Sequence, residues 1–368
     1  MKLAIIGTRG IPANHGGFET FAEKISLELN KKGYEIMVVG DNSSEFKLES
    51  QNGILIRKSK YSKPKNPFKF YLNSFQIANK WKPNIILCCG VGGTIFSRFF
   101  GTKSQIIITN PDGLGFLRTK YNLIERILFK TQYFLSALLE KNLVCDSEGI
   151  LEYYNKNFYR YKNIYVAEYG TDINPYIKEL NTVFDSDILL DIKPKEYYLV
   201  VARLEPENNI KMIIEGFILS GSSKKLVIVG SFNTRHSQDL KQYKNDNIIF
   251  IGGVYDKDNL QIIRANCFAY FHGHSVGGTN PSLLEAMGSN NLCICHSNIF
   301  NKAICGDLGF YFNSPQELKS KITWVEKPSN KSEIERIRKE LGELAQNNFN
   351  WEVIANKYSK IFKEIIKI

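Results

Sequence analysis

His272-Gly273-His274-Ser275-Val276-Gly277-Gly278-Thr279-Asn280-Pro281-Ser282-Leu283-Leu284-Glu285-Ala286-Met287-Gly288 follows a short apolar run, Cys267–Phe271, and turns into a helical pattern. The run reads as a buried strand. Two glycines stand before the helix, Asn280 suits its N-cap and Pro281 its first helical position. A helix start approached by glycines exposes unpaired backbone N–H groups and the positive end of the dipole, which suits a phosphate. Glu285 follows about one turn later, where a carboxylate accepts hydrogen bonds from sugar hydroxyls. The competing reading is local: Ser282 and Glu285 also fit a capping box, with Gly277 and Gly278 as an ordinary loop.

Outward from this segment, strands and helices alternate along the whole chain. Toward the N-terminus, Lys2–Ile6, Glu35–Val39, Asn84–Cys89, Gln105–Thr109 and Leu143–Cys145 read as strands, with helices at Phe18–Lys32 and Leu123–Asn142. The pattern breaks near Tyr169-Gly170-Thr171-Asp172 and resumes at Tyr197–Val201, then Leu226–Val229, Ile248–Ile251, Cys267–Phe271 and Leu292–Cys295. Such alternation predicts parallel sheets covered by helices. The expected fold is therefore α/β: two Rossmann-like, doubly wound domains facing a central cleft. The expected divisions are 1–180 and 190–350, with a last helix over 351–368 packing back on the first domain. Ligands of such sheets bind outside the strand C-termini, which places function between the domains.

The 368 residues are ordinary in hydrophobic content (43%) and carry a net charge of +11. No apolar run approaches a membrane span. The first residues read as a strand rather than a signal peptide, and seven scattered cysteines suit a reducing, cytoplasmic setting. Cys293-Ile294-Cys295-His296 is more simply a strand than a metal knuckle. From Arg57 to Lys82 there are eight Lys/Arg and no acid, interleaved with aromatics. Nucleic acid, an anionic membrane and an anionic substrate all fit that charge, but no nucleic-acid motif accompanies it.

Several strand ends carry chemistry. Gly7–Gly17 lacks G-x-G-x-x-G and is about twice too long for a dinucleotide loop, while Gly16 and Gly17 allow close approach of a ligand. Val201-Ala202-Arg203-Leu204-Glu205-Pro206 puts Arg203 at a strand end, where a guanidinium fork suits a diphosphate and charge growing on a leaving group. Asp112 and Asp146 each follow a strand, and either contacts an acceptor or caps a helix. His272 and His274 alternate on one strand end, where hydrogen bonding by His274 is favoured over a metal pair.

Together these segments resemble a family 4 glycosyltransferase of the GT-B fold, and within it the bacterial rhamnosyltransferase-like subgroup with an N-terminal domain of formerly unknown function. The resemblance is carried by Ile6–Pro12 with His15-Gly16-Gly17-Phe18-Glu19-Thr20, by Tyr169–Asp172, by Ala202–Asn209, by His272–Met287 and by Phe349-Asn350-Trp351-Glu352. It implies retaining transfer from a nucleoside diphosphate sugar without a metal or other cofactor. Arg203 and the backbone at Gly278, Thr279 and Asn280 would then hold the diphosphate, and Glu285 the ribose. Gly16, Gly17 and Asn208 join the nucleotide-sugar site, Asp112 and His274 the catalytic set, and His15, Glu19 and Asp146 the acceptor side. Two positions depart from the wider family: Gly277 stands where a sugar-binding glutamate is usual, and Asn208 where a lysine is usual. A 6-deoxy sugar, bound with fewer polar contacts, is compatible.

The resemblance thus implies L-rhamnose transfer from dTDP-rhamnose to a lipid-diphosphate-linked glycan, in the synthesis of a cell-surface polysaccharide such as capsule or O-antigen. A UDP-hexose donor is the alternative. A nucleotide-sugar epimerase or silent binder is a more distant one. The enzyme is expected to be cytoplasmic and peripheral at the inner membrane, meeting anionic lipid through residues 57–82, with no nucleic-acid partner.

Overall fold

The computed structural model describes residues 1–13, 16–42, 50–100, 105–118, 121–158, 163–174 and 192–367. The first domain runs β1 (Lys2–Ile6), α1 (Gly17–Lys31), β2 (Glu35–Gly40), β3 (Ser50–Gln51), β4 (Ile54–Lys58), α2 (Pro67–Lys80), β5 (Ile85–Cys89), α3 (Thr94–Phe100), β6 (Ile106–Asn110), α4 (Leu123–Leu139), β7 (Leu143–Cys145), α5 (Glu148–Asn157) and β8 (Ile164–Val166). Its eight strands are ordered β3-β4-β2-β1-β5-β6-β7-β8. Among the described residues, only the β3–β4 pair is antiparallel. The chain leaves β1 in one direction through β2 and returns on its other side at β5, so a topological switch point lies between β1 and β5.

The second domain runs β9 (Tyr197–Val201), α6 (Ile210–Ser220), β10 (Lys225–Val229), α7 (Arg235–Asp239), β11 (Ile248–Gly252), α8 (Lys257–Asn266), β12 (Ala269–His272), α9 (Pro281–Gly288), β13 (Cys293–His296), α10 (Ile299–Cys305), β14 (Phe310–Phe312), α11 (Pro315–Val325) and α12 (Lys331–Phe349). Its six strands are ordered β11-β10-β9-β12-β13-β14, with the switch point between β9 and β12. Both sheets are buried on both faces, which is why their strands are continuous Ile, Val and Leu runs rather than alternating ones. Tyr198 on β9 and Phe271 on β12 stack at 4.6 Å beneath the second switch point.

The chain crosses back at Asn350, where the Thr171 amide donates to the Phe349 carbonyl at 2.7 Å. The last helix, α13 (Trp351–Lys367), then packs on α1. Tyr358 is fully buried against Phe21, and Tyr34 bonds Ser359 at 2.8 Å. The basic stretch after β4 divides by solvent contact. Phe70, Tyr71 and Phe75 fill a core under the sheet, whereas Lys65, Phe68 and Lys69 are exposed.

One buried carboxyl gives this domain a pH dependence. Glu140, which ends α4, is pushed up to about 7 by burial, against the pull of the Thr109, Ser97 and Thr94 hydroxyls. The folded state therefore keeps a proton that the unfolded chain releases near the ordinary value of 4.5. Its contribution to stability is greatest below that value and is lost as pH rises to about 7. Glu140→Gln should flatten this dependence and gain on the order of 3 kcal/mol over wild type above pH ~7. Thermal melts of both proteins across pH check it; an advantage that does not grow with pH contradicts it.

Candidate functional site

The loops after β9 and β12 meet at the second switch point and are tied together. Ser275 donates its amide to the Glu207 carbonyl at 3.0 Å. Asn209 Nδ2 donates to the Gly273 carbonyl at 2.7 Å. Asn208 Nδ2 donates to the Arg203 carbonyl at 2.7 Å, and its Oδ1 faces His274 Nδ1 at 2.8 Å. Because the Asn208 amide nitrogen is committed to Arg203, its oxygen accepts, and His274 carries its proton on Nδ1. Nε2 is then an acceptor. Burial, helped by His272, Arg118 and Arg203, holds the His274 imidazole well below its usual pKa, so it is neutral near pH 7. Asn208, expected in the nucleotide-sugar site, is buried, and its two amide groups brace Arg203 and His274. Arg203 itself is exposed at the end of β9.

At the start of α9, Asn280 is the N-cap, its Oδ1 accepting from the Ser282 amide at 3.0 Å. Ser282 is therefore not the cap, and no capping box forms. Instead Arg264, buried on α8, grips Glu285 Oε2. This pair orients Glu285 and leaves Oε1 with no partner among the described residues. Thr279, expected to act through its backbone, and Asp146, expected on the acceptor side, meet across the domains. The Thr279 hydroxyl donates to the Asp146 backbone carbonyl, and the Asp146 side chain is buried against Gly278. Burial, then the charge of Asp112, pushes the Asp146 carboxyl well above the usual range. It is an interdomain packing group rather than an open acceptor contact.

Gly277 has φ +127°, a conformation that side chains rarely adopt. A Cβ there would stand 3.1 Å from His274 Nε2 and 3.6 Å from Arg118 Nη2. The backbone of Gly113 lies against it from the first domain. A glutamate here would strain this backbone and press on His274.

From the first domain, Gly17 opens α1 opposite Pro281, the first residue of α9. Gly16 leads into α1 as its N-cap residue. Glu19, expected on the acceptor side, is buried and accepts from the Arg9 amide at 2.8 Å, bracing the loop after β1. His15 lies outside the described residues. Asp112 sits in a left-handed turn (φ +66°) after β6, its amide held by Asn110 Oδ1 at 3.0 Å.

Two residues of this cleft are absent from the expected set. Arg118 reaches Gly277 and His274 from the turn before α4; burial opposes its charge, but Asp112, Tyr121 and Glu207 more than offset this and raise its pKa. Glu207 is buried, and both its carboxylate oxygens lack partners among the described residues. Arg118 had a signal in sequence, since it shares the loop of Asp112 after a strand. Glu207 had only its nearness to Arg203.

Comparison with known proteins agrees with this geometry. Residues 1–172 match the model of the Domain of unknown function (DUF1972), and residues 184–361 that of Glycosyl transferases group 1. An uncharacterized glycosyltransferase of Methanocaldococcus jannaschii is 24% identical over 100% of this chain and 99% of its own length. Sucrose-phosphate synthase from Thermosynechococcus elongatus superposes with a TM-score of 0.80 at 12% identity, covering 100% of this chain and 99% of that one. Anabaena Alr3699/HepE in complex with UDP-glucose does so with a TM-score of 0.74 at 15% identity, over 100% of both chains. The second domain thus carries a match to the Glycosyl transferases group 1 model, and the chain as a whole has two Rossmann-like domains on the GT-B plan.

Proposed function

We propose that the chain is a retaining rhamnosyltransferase, moving L-rhamnose from dTDP-rhamnose to a lipid-diphosphate-linked glycan in the synthesis of a cell-surface polysaccharide. The observation that carries this reading is that Arg203 and Arg118, from opposite domains, both bear electrostatically on the buried, neutral His274, with Arg118 beside Gly277 on the approach to α9. Protein cations and backbone N–H groups, rather than a metal, meet the charge of the departing diphosphate. Glu285, oriented by Arg264, takes a ribose hydroxyl through Oε1. The acceptor hydroxyl attacks from the face the diphosphate leaves, and a donor phosphate oxygen takes its proton. His274 Nε2 and the unpartnered Glu207 carboxylate accept from sugar hydroxyls beside Gly277. Asp112, anchored next to Arg118, serves the acceptor rather than acting as a nucleophile. The closed, side-chain-free spot at Gly277 favours a 6-deoxy sugar.

HepE's complex with UDP-glucose supports the second reading, a UDP-hexose donor bound in the same cleft. A panel of dTDP- and UDP-sugars with a short lipid-diphosphate mono- or disaccharide, read by mass spectrometry, separates them. Transfer from dTDP-rhamnose and not UDP-glucose is the expected result. Transfer from a UDP-hexose alone selects the second reading. Transfer from no donor overturns both.

A further inference from the structure

The most unusual surface of the molecule lies outside the cleft, on α4. Leu123, Ile124, Ile127, Leu128, Phe134 and Leu138 are all exposed, Ile124 to 71%. At 100° per residue they fall in one continuous stripe along the helix, while Tyr133, Ser136 and Ala137 face the core. The helix is not frayed or unfinished: Asn122 and Glu125 form a reciprocal capping box at its start. The stripe widens onto α3, which packs beside α4 and exposes Ile95 and, to 78%, Phe99. Phe68 at the start of α2 contacts Phe96 of α3, at 4.7 Å between ring centres, so the basic stretch borders the apolar face. A contiguous apolar patch of this kind on a folded protein marks an interaction site.

The charge around the stripe identifies what covers it. Between Arg57 and Lys130 the chain has fourteen Lys/Arg and two acids: Asp112, which faces the cleft, and Glu125, which closes the capping box of α4. Lys65, Lys69 and Arg98 are exposed beside the stripe, and Lys130 on α4 itself. A second copy of this chain would bring like charges together, which opposes self-association through this face. An anionic bilayer satisfies both halves of the pattern: acyl chains take the leucines and phenylalanines, and lipid phosphates take the lysines. No helix among the described residues is long and apolar enough to cross a membrane, so the helix would lie in the interface. The stripe also points toward the site. Arg126 Nε on α4 donates to the Phe116 carbonyl at 2.8 Å, tying the helix to the turn that carries exposed Leu117 and cleft-facing Arg118.

We propose that α4, with the edge of α3, is an interfacial membrane helix that seats the first domain on an anionic bilayer and sets the cleft mouth at headgroup level. This rests on the reading of the acceptor as lipid-linked, and places the docking surface on α4, with 57–82 as its electrostatic border. The test is flotation of the full chain with phosphatidylcholine vesicles with and without about 30 mol% phosphatidylglycerol, at about 0.1 and about 0.5 M salt. Wild type should bind the anionic vesicles, more weakly at high salt. Ile124→Asp with Leu128→Asp should weaken binding about tenfold or more without lowering the melting temperature, because both side chains are already in solvent. The same variant should keep transfer to a detergent-dispersed acceptor and lose it on vesicle-borne acceptor. No binding to anionic vesicles overturns the proposal, as does equal binding by the variant. A wild-type dimer in sedimentation that the variant abolishes, without vesicle binding, assigns the face to self-association and also overturns it. Loss of transfer from every donor in detergent would instead strike the functional reading and leave the vesicle result to stand alone.

Discussion

Arg203→Ala should lower kcat about a hundredfold or more, the cost typical of losing one donor to charge that develops in the transition state. The side chain is exposed at the end of β9 and its removal opens no core cavity, so the melting temperature should not change. Only its carbonyl is used structurally, accepting from Asn208, and alanine keeps that carbonyl. The loss therefore reports chemistry rather than folding. Arg203→Lys should recover part of the rate, since an ammonium supplies charge but not the two-pronged fork that matches a diphosphate. If the contact is made equally in ground and transition states, KM for the donor rises and kcat holds. Full turnover by Arg203→Ala sinks the assignment.

Gly278→Ala should cost at least as much, for a steric reason. A Cβ at Gly278 would overlap the Asp146 carboxylate from the other domain, far inside van der Waals contact. Either Asp146 moves or the domains separate at the start of α9. A displacement of about 1 Å there is enough for roughly a hundredfold loss. The informative measurement is a double-mutant cycle. Asp146→Gly empties the contested space, so adding Gly278→Ala to it should cost little, and the strong non-additivity measures the contact. A fully active Gly278→Ala single variant would mean that this closed arrangement is not the one that works.

Much of the architecture is legible in the residues. The helices read as Phe18–Lys32 and Leu123–Asn142 are found at Gly17–Lys31 and Leu123–Leu139, and the strand Leu143–Cys145 is unchanged. Asn280 caps α9 as its residue type suggests. These features depend on periodicity and capping within one or two turns, which a short window of sequence contains. The site is less legible. Asn208 and Glu285 have the residue types of ligands, yet Asn208 braces His274, 66 positions away, and Glu285 is oriented by Arg264 through one oxygen, neither of which the sequence shows. Arg118 joins the cleft only because the first domain folds against Gly277.

The aromatic interleaving of 57–82 and the apolar content of α4 look alike as composition, but packing buries Phe70, Tyr71 and Phe75 of the first and leaves most of the second in solvent. The residues alone determine the strand–helix alternation, the two doubly wound halves and the glycine-led start of α9, because each rests on local hydrogen bonding and on the period of apolar side chains. Tertiary structure alone decides which charges face the cleft, why Gly277 must lack a side chain and which apolar helix stays uncovered, because burial and partnership are set by neighbours tens to hundreds of residues away.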